Sequence, residues 1–241
     1  MPIITLYGTK GGSCRTTGTT IMALGLALAG KSVTLVSTDG DMDVFDDWVR
    51  TALEHGDPDW NLQTFSLLGP GDGDRLKRHL DADPDHFAII DTARFVSPAR
   101  SYALACADLV VMPFLGFLEA RSGVESAAAQ IPQGQQLVAV SGSGDEQTIR
   151  EVARWMPLMQ APYPLDERLI PYSLDMPEFL ATLTGAPNLP VDTYRLRLAV
   201  EEFAQEAAGV ALAKSENPQE SYFVPALRTS GVEFKRNGFG T

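Results

Sequence analysis

Two cations and two hydroxyls fall close together in the run Gly8-Thr9-Lys10-Gly11-Gly12-Ser13-Cys14-Arg15-Thr16-Thr17, at Lys10, Arg15, Thr16 and Thr17. That combination suits anion chemistry. Glycines let backbone N–H groups converge on phosphate oxygens, and a helix opening directly afterwards adds the positive end of its dipole. The ordinary phosphate loop then ends in Gly-Lys-Ser/Thr, with the lysine for the β- and γ-phosphate charge and the hydroxyl for Mg²⁺. Here Cys14 and Arg15 occupy the Gly and Lys positions, while Thr16 is retained. A Gly-rich turn with no ligand is the plainer alternative for this segment taken alone.

Carboxylates elsewhere could complete such a site. The run Ser32-Val33-Thr34-Leu35-Val36-Ser37-Thr38-Asp39-Gly40-Asp41 ends an apolar stretch in two acids. Asp41 and Asp43 also suit the cap of a following helix. In Phe87-Ala88-Ile89-Ile90-Asp91-Thr92-Ala93 an aspartate follows four apolar residues. Placed at the C-terminal end of a buried strand beside a phosphate loop, Asp91 can hold Mg²⁺ through water. Cys14, beside Lys10 and Arg15 at a helix start, is a candidate for a lowered thiol pKa. Cys106 reads as packing, and His55, His79 and His86 read as surface residues without metal-ligand spacing.

These groups need elements to carry them. Short apolar runs predict strands over Ile3–Tyr7, Ser32–Val36, Leu62–Phe65, Phe87–Ile90, Leu109–Pro113 and Leu137–Val140. Amphipathic stretches between them predict helices over Thr16–Ala29, Val44–Glu54, Gly73–Leu80, Pro98–Ala105, Leu118–Gln130 and Glu146–Met159. Alternation of this kind implies an α/β fold, a mostly parallel central sheet with helices on both faces. After Met159 prolines break the pattern repeatedly, before a last helix over about Asp192–Ala208. The expected organisation is a single domain over 1–214 and a C-terminal tail over 215–241, with Tyr222, Phe223, Val224 and Phe234 available to dock.

The 241 residues carry a net charge of −12, which opposes nucleic-acid binding by the body of the protein. The N-terminal run lacks the basic residues of a signal peptide, and no apolar stretch approaches the roughly 18 residues of a membrane span. A cytoplasmic protein without membrane contact is expected.

Lys10–Thr17 resembles the deviant phosphate loop Lys-Gly-Gly-x-Gly-Lys-Thr-Thr of the ParA/MinD ATPases, differing only at Cys14 and Arg15. The Ser32–Asp41 segment is similar to the family's strand ending Asp-x-Asp-Pro-Gln. Aligned without a gap, Ser37 replaces the first Asp and Asp39 takes the second. A two-residue shift would instead make Asp39 and Asp41 the pair. Phe87–Ala93 resembles the Walker B segment, with Ala93 where the family has proline. Ala107–Pro113 looks like the strand after it, and Leu137–Gly142 lacks the adenine-contacting Asn that usually ends the next. The resemblance spans roughly 2–185 and points towards small plasmid-partition ParA or VirC-type proteins.

The resemblance implies a P-loop NTPase-like fold with ATP and Mg²⁺ as ligands. It places ATP on Lys10, Gly11, Gly12, Ser13, Cys14, Arg15, Thr16 and Thr17, and Mg²⁺ on Thr16 and, through water, Asp91. Lys10, reaching across an ATP-sandwich homodimer, and Asp39, activating the attacking water, are the implied catalytic residues. An adaptor protein and weak or adaptor-mediated DNA association follow, with Arg195, Arg197, Arg228, Lys235 and Arg236 as candidate contacts. The changes at Cys14, Arg15 and Ser37 imply slowed or lost hydrolysis. Three functions remain open: a slow ParA-like ATPase positioning DNA or another cargo, a ParA-like pseudo-ATPase acting through interactions, and an unrelated nucleotide-dependent α/β enzyme.

Overall fold

In the computed structural model the chain runs β1 (Ile3–Leu6), α1 (Arg15–Leu28), β2 (Ser32–Ser37), α2 (Asp43–His55), β3 (Leu62–Ser66) and α3 (Pro70–Leu80). It continues through β4 (His86–Asp91), α4 (Pro98–Cys106), β5 (Leu109–Phe114), α5 (Phe117–Gln130), β6 (Leu137–Ser141) and β7 (Leu165–Leu169). The structure describes residues 2–11, 13, 15–40, 42–55, 59–80, 83, 85–131, 137–141, 147, 148, 150, 151, 165–169, 208, 209 and 211.

Among the described residues the strands form one seven-stranded sheet, ordered β3-β2-β4-β1-β5-β6-β7, and every neighbouring pair is parallel. Continuous apolar runs make this possible, because strands inside a parallel sheet are covered on both faces. β1 shows the division of labour. Ile4 and Leu6 pack towards α1 and α2, where Ile21, Leu24, Phe45 and Trp48 are buried. Ile3 faces the cluster holding Leu76 and Leu80 of α3 and Ala99 and Ala103 of α4. Tyr7, just past the strand, joins the cluster under α5. Helices therefore cover both faces, as the alternating sequence pattern predicts. α1 is buried continuously from Gly18 to Ala27, which suits its nearly all-round small and apolar sequence.

Parallel strands all end at one edge of the sheet, and the loops into the following helices gather there. The Gly8–Ser13 segment, Thr38–Gly40 and Thr92–Ser97 are three such loops.

Two sequence expectations are corrected. β7 lies in the Pro-interrupted stretch where no strand was expected; its Leu-Asp-Glu-Arg-Leu sequence lacks the apolar continuity of the inner strands, in keeping with its place at the sheet edge. His86 is not a surface residue: it is 4% exposed, its Nε2 pairs with Thr34 Oγ1 at 2.7 Å, and burial and then His79 push its pKa down. His79 is exposed as expected. Helix 146–159 is described only at residues 147, 148, 150 and 151. Of the last helix, only residue 208 falls within the described residues, and the tail over 215–241 lies outside them.

Candidate functional site

Gly8 to Ser13 connects β1 to the first turn of α1, so the loop stands at a helix N-terminus on the C-terminal edge of the sheet. Lys10 and Gly11 are exposed there, Ser13 is buried, and Arg15 and Thr17 are half-buried. Gly12, Cys14 and Asp41 lie outside the described residues. The loop is tightly folded at its base. A Cβ built on Gly8 would meet Ser13 Oγ at 2.7 Å and Arg15 Cδ at 2.8 Å, so only glycine leaves room for the Arg15 stem.

Thr16 and Asp91 meet, although 75 positions separate them. Thr16 Oγ1 donates to Asp91 Oδ2 at 2.6 Å. Strand register makes the meeting: Leu6 and Ser37 each stand beside Asp91 at the ends of β1 and β2. Burial raises the Asp91 pKa to about 6 and Asp39 adds to the rise, while the Thr16 hydrogen bond and Arg15 oppose it.

Ser37 is buried at the end of β2 and donates its hydroxyl to Asp39 Oδ1 at 2.6 Å. Gly40 follows with φ +83°, the left-handed conformation that turns the chain just beyond Asp39. Asp39 itself is exposed beside the site.

The loop leaving β4 is held from several sides. Thr92 donates to the Leu6 carbonyl from both its backbone N–H, at 3.3 Å, and its hydroxyl, at 2.7 Å. Ala93 N–H donates to Thr38 Oγ1, and Arg15 Nη1 donates to the Thr92 carbonyl. Arg100 Nη1 donates to the carbonyls of Ala93, at 3.0 Å, and Arg94, at 2.7 Å. Arg100 is 2% exposed, and its guanidinium carbon lies 4.8 Å from the Tyr7 ring centroid, a cation–π contact. Burial lowers its pKa.

Sequence reasoning missed Arg94 and Arg100. A signal for Arg100 existed, since Ala103 and Leu104 follow it at the i+3 and i+4 spacing of a buried helix face. Nothing comparable marks Arg94, on an irregular loop.

Several buried polar atoms around the loop have no partner among the described residues: Ser13 Oγ, Arg15 Nε and Asp91 Oδ1. Buried groups of this kind are ordinarily satisfied, so three beside one loop suit a polar ligand. The donor set suits a phosphate-bound cation better than a protein-held metal. Among the described residues no group of three or more His, Cys, Asp or Glu side chains could hold a metal ion. A hydroxyl and one carboxylate can anchor Mg²⁺ when phosphates and water supply the other ligands.

No protein-family model matches the sequence, and no curated protein matches it. Solved structures do match. The MinD cell division protein of Aquifex aeolicus superposes with a TM-score of 0.57 at 12% identity, covering 93% of this chain and 100% of that one. An ATP complex of a McdA variant from Cyanothece gives 0.53 at 13% identity, covering 87% and 96%. The ParA of pNOB8 bound to nonspecific DNA gives 0.52 at 16% identity, covering 90% and 99%. At such identities the likeness is one of fold. The chain has the fold of the ParA and MinD proteins, over nearly their whole length.

Proposed function

We propose that this chain, built on the ParA and MinD fold, is a ParA-like ATP-binding protein in which an ATP-sandwich dimer positions DNA or another cargo and hydrolysis is weakened. The pairing of Thr16 with Asp91 at a helix N-terminus, ringed by unpartnered buried polar atoms, carries this reading. Lys10 to Thr17 would cradle the phosphates with backbone N–H groups, and Thr16 and Asp91, the latter through water, would hold Mg²⁺. Bound Mg²⁺ and ATP supply the scissile phosphoanhydride and the charge that offsets its cleavage.

Asp39 is the candidate for orienting the attacking water. The register of Ser37 beside Asp91 favours the ungapped alignment, in which Ser37 stands where the first carboxylate would be. A serine there holds Asp39 by a hydrogen bond but cannot act as a base near neutral pH. The Arg15 side chain, directed to the Thr92 carbonyl, likewise does not present that N–H to a ligand. Both observations favour slow turnover, and they also support a second reading in which nucleotide is bound without hydrolysis.

Phe95, Val96 and Leu118 are about three-quarters exposed, at 73%, 70% and 76%, and follow β4 or β5 on the sheet edge that bears the loop. An apolar rim around a nucleotide site supports a second copy closing over it, with Lys10 reaching across. Among the described residues no helix is long and apolar enough to cross a membrane. A cytoplasmic role with an adaptor protein fits the resemblance. With the −12 charge, DNA association would be weak or adaptor-mediated; Arg195, Arg197, Arg228, Lys235 and Arg236 lie outside the described residues.

Isothermal titration with Mg²⁺-ATP and Mg²⁺-ADP, read with molar mass by light scattering and with phosphate release, tests this. ATP should bind and double the mass, release should be slow, and Lys10→Ala should remove the dimer without lowering the melting temperature. A protein that binds neither nucleotide would sink the proposal.

A further inference from the structure

Arg94 is a cation that the phosphate loop's own sequence does not supply. It sits on the loop leaving β4, and its Nη1 would stand 3.8 Å from a Cβ built on Gly11. Its guanidinium carbon is 5.4 Å from the Phe95 ring centroid, and among the described residues it forms no ion pair. The backbone beneath it is fixed, because Arg100 binds the carbonyls of both Ala93 and Arg94. Arg94 is itself exposed, so its head group reaches the loop from the solvent side.

Arg15 is differently engaged. Its stem fills the space left by Gly8 and its Nη1 donates to the Thr92 carbonyl. The residue in the usual lysine position thus spends one arm of its fork on the protein. Charge follows the same division. Arg15 lies close enough to Asp91 and to Arg100 to act on both electrostatically, and Arg94 stands over Gly11 beside Lys10, so cations collect at this loop on a protein whose net charge is −12.

We propose that Arg94 is a phosphate-binding residue of this site, giving the terminal phosphate of a bound nucleoside triphosphate the guanidinium that Arg15 directs to Thr92. This inference rests on the nucleotide-binding reading above. A guanidinium offers paired N–H donors to phosphate oxygens, and its planar face can remain stacked on Phe95 while its edge binds. Contact with the last phosphate gives a preference for triphosphate over diphosphate. Arg100 acts as a positioning residue, setting the backbone from which Arg94 projects.

The full chain and its Arg94→Ala and Arg94→Lys variants, titrated with Mg²⁺-ATP and Mg²⁺-ADP, provide the test. Arg94→Ala should weaken ATP about 10- to 100-fold, the range for a charged hydrogen-bonding contact, and ADP much less. Arg94→Lys should recover part of the loss, since it keeps the charge without the fork, and melting temperatures should be unchanged. If the parent binds ATP and Arg94→Ala binds it equally well, the role of Arg94 is overturned while nucleotide binding stands. Equal losses for ATP and ADP overturn the assignment to the terminal phosphate. A parent that binds neither nucleotide overturns both readings together.

Discussion

Asp91 is held at a cost to the protein without ligand, and the sign of that cost can be worked out. Its folded pKa, about 6, lies above the ordinary 3.8, so between those values the folded chain keeps a proton that the unfolded chain has lost. Stability from this group is full below pH 3.8 and falls as pH rises, the whole penalty applying above pH 6. Asp91→Asn removes the buried charge. In chemical denaturation at pH 8 without nucleotide or Mg²⁺, it should be more stable than the parent by about 1–3 kcal/mol. The difference should shrink towards zero at pH 4, and Mg²⁺-dependent ATP stabilisation should disappear. A variant less stable at pH 8 would show that burial is not the dominant influence. That Thr16 and Asp91 should share one place was legible from the sequence, because a hydroxyl at a helix start and an acid at a strand end stand in the order such a loop requires. Arg94, Arg100 and the buried pair of His86 with Thr34 were not. Their partners are backbone carbonyls, a loop glycine and a threonine 52 positions away, which only the fold brings near.

The inner strands were the easiest elements to read, since β5 is buried and apolar throughout and β4 carries four consecutive buried apolar residues, Phe87 to Ile90. Helix ends were less visible. The sequence pattern starts α3 at Gly73, but the helix begins at Pro70, where a proline's missing N–H costs nothing. Asp72 Oδ2 then accepts from the backbone N–H groups of Leu68 and Gly69, drawing the incoming loop onto the first turn. Gly73 has a task that no local pattern reveals: a Cβ there would lie 2.1 Å from Tyr102 Cζ on α4. Gly73→Ala should therefore force α3 and α4 apart and destabilise the fold by about 1–3 kcal/mol, despite alanine's better helix propensity. Because this contact lies between helices on one sheet face and away from Thr16, ATP affinity should be retained. Calorimetry and titration on the same sample would check both halves, and an unchanged melting temperature would refute the packing argument. β7 escaped detection for a different reason: Asp166, Glu167 and Arg168 interrupt its apolar residues, and an edge strand tolerates them.

Across the molecule, Val44, Leu68, Phe95, Val96 and Leu118 are the exposed large hydrophobics among the described residues, and each follows the C-terminal end of a strand. Apolar exposure gathered on one edge marks an interaction surface more than chance scatter does. Phe95→Ser combined with Leu118→Ser should lower the mass reached in ATP by light scattering, with no loss of thermal stability, because neither side chain is in the core. Unaltered dimerisation would show that the partner copy seats elsewhere. The fold class was legible because alternating strand and helix patterns leave few other arrangements, whereas the strand order was not, since nothing local tells β1 to lie between β4 and β5. That placement governs how the protein comes into being. Ile3 pairs with Ala88, Ile4 with Leu109, and the Ile3 N–H is received by Asp108, so β1 has no neighbour until more than eighty further residues exist. Asp91, the acid that meets Thr16, is likewise 75 positions further on. A polypeptide interrupted before β5 therefore carries the whole loop sequence but lacks the strand that flanks β1 on one side.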